Sequence, residues 1–237
     1  MGVLKKQTGR TATATTRGAM LAAGVLAAVC VATLGAGTAL ADPAVPTDGA
    51  TRACVTVKQL QPNANCAYSY LPGSDVGKRD LTGINLSHSN LAGASLYAST
   101  LTDAKLRNAN LTGANAADVN LAGADLAAVK LGGADLFSAN LLNVSLTKAD
   151  LVETRLQYAD LTGADLTGAD LTDADLTAAN LTGSVKLIGA DLTRADMRWV
   201  DLTGANLTDA HLTGANLTGA TWTDGRICAE SSIGQCN

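Results

Sequence analysis

From Arg79 to Asp224 a leucine returns every five residues, almost without a break. A period of five is hard for a polypeptide to bury. On a helix each successive leucine would be turned about 140° from the last, and on a flat strand it would switch faces. A fixed-period repeat instead marks a solenoid, in which a unit hides its apolar side only by stacking on its neighbours. Leu81, Leu86, Leu91, Leu96, Leu101, Leu106 and Leu111 begin the series, Ala116 stands in for one member, and the beat holds again from Leu121 to Leu181. One residue is added before Leu187, after which Leu192, Met197, Leu202, Leu207, Leu212, Leu217 and Trp222 complete the series. If four units close one square turn of about twenty residues, every leucine can point to a shared axis, together with the small residue two places before it.

Each unit reads roughly Ala, Asp or Asn, Leu, Thr, Gly, as in Ala159-Asp160-Leu161-Thr162-Gly163. On that pattern residues 79–224 resemble the pentapeptide-repeat family, whose motif is A(D/N)LXX. The resemblance implies an all-β fold, a right-handed quadrilateral parallel β-helix with the central Leu and the preceding Ala inside. About seven coils, one strand spacing apart, would make a rod about 34 Å long. Burying a leucine gains about 1.5–3 kcal/mol, so this core needs no aromatic residues. Ser89, Ser99 and Thr154 take alanine's inward place. Ala116 should leave a partial void near Val119. The added residue near Gly183-Ser184 should form a bulge without ending the stack.

The two ends are different in kind. Residues 1–41 read as a signal peptide: Lys5, Lys6, Arg10 and Arg17 precede an apolar run from Ala19 to Leu40, with a small-residue cleavage site after Ala41. The chain is therefore expected to be secreted, the alternative being a membrane anchor formed by an uncleaved leader. No stable membrane span is expected once the leader is removed. Residues 42–78 lack the beat and form a candidate N-terminal cap, in which the alternation Val55-Thr56-Val57 suggests a short strand. Residues 225–237 form a candidate C-terminal cap. Bonded cysteines need Cα atoms within about 7 Å, and a rod of this length separates its ends. The expected pairs are therefore Cys54 with Cys66 and Cys228 with Cys236, as suits an oxidising compartment.

The net charge is −4, and losing the cationic leader leaves the remainder more acidic still. That argues against direct nucleic-acid binding through phosphates, although it permits imitation of nucleic acid. No GxSxG, GxGxxG, P-loop or HExxH motif occurs, so no catalytic residue, metal site or cofactor is expected. His88 and His211 would lie about six coils apart, too far to share a metal or a proton.

Stacking the sequence by twenties gathers two groups on the surface. One face carries Asp150, Glu153, Asp170, Asp173 and Asp191, an acidic patch whose successive carboxylates could raise one another's pKa or hold a cation. The neighbouring face collects all four outward aromatics of the repeat, Tyr97, Phe137, Tyr158 and Trp199, beside Arg155 and Arg198. Exposed aromatics with arginine suit a contact with an unknown protein or glycan partner, or with a second copy of the chain. The reading is an exported, non-enzymatic scaffold. Two alternatives come from other directions: the family includes cytoplasmic DNA mimics that bind DNA gyrase and protect it from quinolones, and other β-helices are carbohydrate-active enzymes.

Overall fold

The computed structural model describes residues 54–237. The expected signal peptide and the first part of the expected N-terminal cap lie outside the described residues. Nearly every pairing is a parallel bridge between residues one turn apart, running from Asn65↔Asn85 to Asp160↔Asn180 at intervals of twenty. The central residue of each unit donates its N–H to the next coil, as Leu101 does to the Asn120 carbonyl at 2.7 Å. The leucines and, from Ile84 on, the mostly small residues two places before them are buried as far as Leu202, forming one continuous core that is only partly covered in the last coil.

Each position of the motif has a local reason. The carbonyl of the central leucine accepts the N–H three residues on, as Leu101 does from Ala104 at 3.0 Å, closing a tight turn. The third residue of that turn has positive φ throughout the stack, whether it is Gly123 at 70° or Trp199 at 57°. Type II turns impose this requirement, and glycine meets it without strain. The Asp or Asn before the leucine accepts the N–H two residues later, as Asp80 does from Thr82 at 3.0 Å. This Asx turn holds the corner. Where Ser99 and Thr154 replace alanine inside, their hydroxyls donate to the carbonyls of Leu96 and Leu151.

Both irregularities of the beat have structural counterparts. A cavity of about 10 Å³ sits against Ala116 and Val119, lined only by apolar side chains of the surrounding coils. At the added residue, Gly183 and Ser184 both take positive φ, and the bridge register shifts to Asp165↔Lys186 before returning to Lys186↔Asn206. The stack continues past it.

The N-terminal end corrects the sequence reading. The twenty-residue register starts at Asn65, well before Arg79, and Cys66, Leu71 and Val76 occupy central core positions. Only the segment before that is a true cap, and its core is a 3-10 helix, Val57–Gln59, rather than a strand. The cause is visible in Thr56-Val57-Lys58-Gln59: the Gln59 side chain accepts the N–H groups of Val55 and Thr56, the pattern of a helix start. Cys54 and Cys66 are bonded, which ties this cap to the first coil.

At the other end Cys228 bonds Cys236, and the tail pairs antiparallel to the last coil through Thr221↔Ile227 and Asn216↔Ile233. It covers that half of the coil only. Leu207, Ala210 and Leu212 on the other half are partly buried.

Candidate interaction face

The face built on Leu96, Ala116, Leu136, Leu156, Leu176 and Met197 is a single ladder, Asp75↔Ser95↔Asn115↔Asp135↔Arg155↔Asp175↔Asp196↔Asn216. Two outward side chains per coil project beside it, one on the turn's second residue and one on its third. Tyr97 and Phe137 take the second place, Tyr158 and Trp199 the third. All four are exposed, Tyr158 at 61% and Trp199 at 59%. The structure therefore brings the four aromatics to one face, and two of them touch. Phe137 and Tyr158, on adjacent coils, meet edge to face with ring centroids 5.6 Å apart.

The other rings are held by their neighbours. The Arg198 guanidinium lies 5.4 Å from the Trp199 ring centroid, and the Lys78 ammonium lies 5.6 Å from that of Tyr97. Trp199 also leans across the next coil at Gly219, where an added Cβ would come within 2.6 Å of the indole. Gly219 leaves the room that the indole takes. The charges on this face pair internally: Arg155 bonds Asp135 at 2.8 Å, and Arg198 bonds Asp196 at 2.6 Å. Burial pushes the Asp196 carboxyl up, but hydrogen bonds from Arg198 and its charge outweigh that and hold the pKa below the usual carboxylate value.

Sequence reasoning missed Gln157. Its Nε2 donates to Asp175 Oδ2 at 2.6 Å, while its Oε1 is buried and has no hydrogen-bond donor among the described residues. The signal was present, because Gln157 sits between Arg155 and Tyr158 on the same turn, but stacking alone does not say which way an amide turns.

The acidic face differs from its expectation. Asp150, Asp170 and Asp191 do lie in one ladder, but it runs on from Lys130 and into His211. Each of the three carboxylates turns into its own coil, accepting the N–H of Val152, Thr172 or Thr193. Asp191 is held below the usual carboxylate value by hydrogen bonds from the Thr193 hydroxyl and backbone, with the charges of His211 and Arg194 acting the same way. Asp173 is lowered too, by Arg194, whose Nε donates to it at 2.7 Å. Mutual repulsion does not raise either group, since each finds a donor nearer than its like-charged neighbour. Glu153 stands on the turn beside this ladder. Among the described residues no group of three or more His, Cys, Asp or Glu is placed to hold a metal ion.

A solenoid of five-residue turns, with leucine inside and Asx turns at its corners, defines the class of protein. The chain belongs to the pentapeptide-repeat family: the family model matches eight copies, over residues 80–115, 104–141, 117–151, 145–183 and 184–219. Among solved structures it is similar to HetL, a pentapeptide-repeat protein involved in heterocyst differentiation regulation in the cyanobacterium Nostoc sp. strain PCC 7120. The two share 36% identity over 70% of this chain and 86% of that one, with a TM-score of 0.44. A pentapeptide-repeat protein of the Arabidopsis thaliana thylakoid lumen matches at 23% identity over 50% of this chain and 72% of that one, with a TM-score of 0.38. QnrB1, a plasmid-mediated fluoroquinolone resistance protein, matches at 19% over 67% and 82%, with a TM-score of 0.43. No curated protein sequence matches the chain.

Proposed function

We propose that this chain is an exported, non-enzymatic binding rod whose contact surface is the face carrying Tyr97, Phe137, Tyr158 and Trp199. The observation that carries the reading is the cluster itself: of the exposed aromatics among the described residues, four stand on one side of the rod and Tyr70 stands apart from them. Large apolar side chains displayed together on a rigid frame bury area on contact at little cost in ordering. The frame does the positioning, and no bond-making step is assigned to it.

Export is supported by the cationic and apolar leader within residues 1–41 and by the two disulfides, which persist in oxidising compartments. Both features count against a cytoplasmic gyrase-protecting role. The test is to fractionate expressing cells and sequence the N-terminus of the protein recovered. The reading expects an extracellular chain beginning at Asp42 with all four mature cysteines bonded. An intact chain from Met1 in the cytosol, with free thiols, would overturn it.

A further inference from the structure

On the side of the square opposite the aromatic face, the ladder Asn85↔Lys105↔Asp125↔Ser145↔Asp165 carries an open cleft of about 330 Å³, and we propose that it binds the phosphate or sulfate group of a small ester. This site goes beyond the aromatic contact surface and does not depend on it. Three successive coils shape the cleft: Arg107 and Asn108 stand on the turn of the first, Ala127 and Ala128 on that of the second, and Thr147 and Lys148 on that of the third. Two alanines side by side leave a gap one coil wide, so the longer side chains on either side are rooted about 10 Å apart. Ala127 forms the floor: it is buried, while Arg107, Asn108 and Lys148 are exposed around it.

The rim of the cleft is made of donors. Asp125 braces both floor and wall: its Oδ1 accepts the Ala127 N–H at 3.2 Å, and its Oδ2 lies 3.3 Å from Arg107 Nε. That contact uses only the Nε edge of the guanidinium, so the two Nη groups stay available to a second anion. Lys148 has no carboxylate partner among the described residues, and the side chains of Thr147 and Asn108 have no hydrogen-bond partner there. Guanidinium, ammonium, amide and hydroxyl together match a tetrahedral oxyanion, which offers several acceptor oxygens to converging donors. Charge points the same way. On this face three cations, Lys105, Arg107 and Lys148, accompany one carboxylate, Asp125, in a chain whose net charge is −4. The local excess is cationic while the acidity of the whole opposes an extended polyanion, so the ligand that fits is compact.

The test titrates the isotope-labelled full-length chain with sodium phosphate and, separately, with sodium sulfate, against sodium chloride at matched ionic strength, and follows the backbone amide resonances. Shifts centred on Ala127, Ala128 and Thr147 should saturate at roughly millimolar anion, and the tighter of the two anions identifies the group. Lys148→Gln and Arg107→Gln should each weaken binding on the order of tenfold. Ala127→Leu leaves every charge in place but fills the floor, and should weaken binding at least as much. Leu142 already holds the same turn position on another coil, so the stack accepts a leucine there. Phe137→Ala combined with Trp199→Ala should leave the affinity unchanged, which keeps this site separate from the aromatic face. Equal shifts in chloride, shifts spread evenly over every lysine-bearing turn, unchanged saturation in Ala127→Leu, or loss of binding in the aromatic double variant would each overturn the proposal.

Discussion

Arg79 reaches back to Leu60: its Nη2 donates to the Leu60 carbonyl at 2.7 Å while Nη1 donates to that of Val57 at 2.9 Å. Arg79 holds the position two residues before Leu81, where the repeat mostly places alanine or another small residue. The guanidinium thereby pins the N-terminal cap to the first coil beside the Cys54–Cys66 bond. A hydrogen bond to a charged group contributes about 1.5–3 kcal/mol, and Arg79→Ala leaves the Leu60 carbonyl without this donor. The expected result is a loss of about 2 kcal/mol, with faster amide exchange confined to residues 54–65. Exchange that quickens evenly along the rod would show that the arginine has no such local role.

The void at Ala116 gives a second prediction. Val119 lines it, and the space left is about 10 Å³. Ala116→Leu restores the repeat but adds three carbons to that space and should cost about 1–3 kcal/mol, while Val119→Ala enlarges the void and should cost about 2 kcal/mol. Denaturant midpoints with unchanged m-values would measure both. A stabilised Ala116→Leu would mean that the coil opens readily to accept the leucine.

Ala128 is exposed and sits at φ 54°, in the left-handed region. An L-residue pays roughly 1 kcal/mol there, and glycine does not. Ala128→Gly loses no packing, so it should stabilise by about 0.5 kcal/mol despite the extra freedom of glycine in the unfolded chain. The melting temperature of this single variant decides the matter. The same change at buried Ala124 should be destabilising, since there the methyl group is part of the core.

Acid should weaken the rod through its surface carboxylates. Asp80, Asp173 and Asp191 all titrate below the usual value of 3.8, held there first by the Thr82 hydroxyl, the Arg194 guanidinium and the Thr193 hydroxyl respectively. A carboxylate whose folded pKa is depressed contributes its stability fully above the ordinary value and loses it as pH falls through the folded one. Carboxylate-linked stability should therefore be level down to about pH 5 and decline below about pH 4, and Asp173→Asn should make that decline shallower. A decline beginning near neutrality would point to other groups.

The core was legible because one residue type recurs at a fixed step; from Leu81 to Trp222 the inward positions could be read directly. The first coil was not, since Cys66, Leu71 and Val76 are three different residues at its central positions and Arg79 stands where alanine was needed. The shift at Ser184 could be located because a single insertion displaces every later leucine by one. Faces followed from counting, so Tyr97, Phe137, Tyr158 and Trp199 could be grouped without coordinates. What counting cannot supply is where a side chain turns once it is on its face. The carboxylates of Asp150, Asp170 and Asp191 fold into their own corners instead of facing one another, and the amide of Gln157 commits to Asp175. Those choices depend on donors one or two residues away, at distances a register does not encode.

The turn of twenty and the aromatic face meet in one contact, Phe137 against Tyr158, formed by residues on adjacent coils. Phe137 is the single phenylalanine of the chain, so its ring protons are assignable without ambiguity. A two-dimensional nuclear Overhauser spectrum of the folded protein should show cross-peaks between the ring protons of Phe137 and those of Tyr158, and none between Phe137 and Trp199. A well-dispersed spectrum lacking the Phe137–Tyr158 cross-peaks would contradict both the register of the coil and the surface built on it.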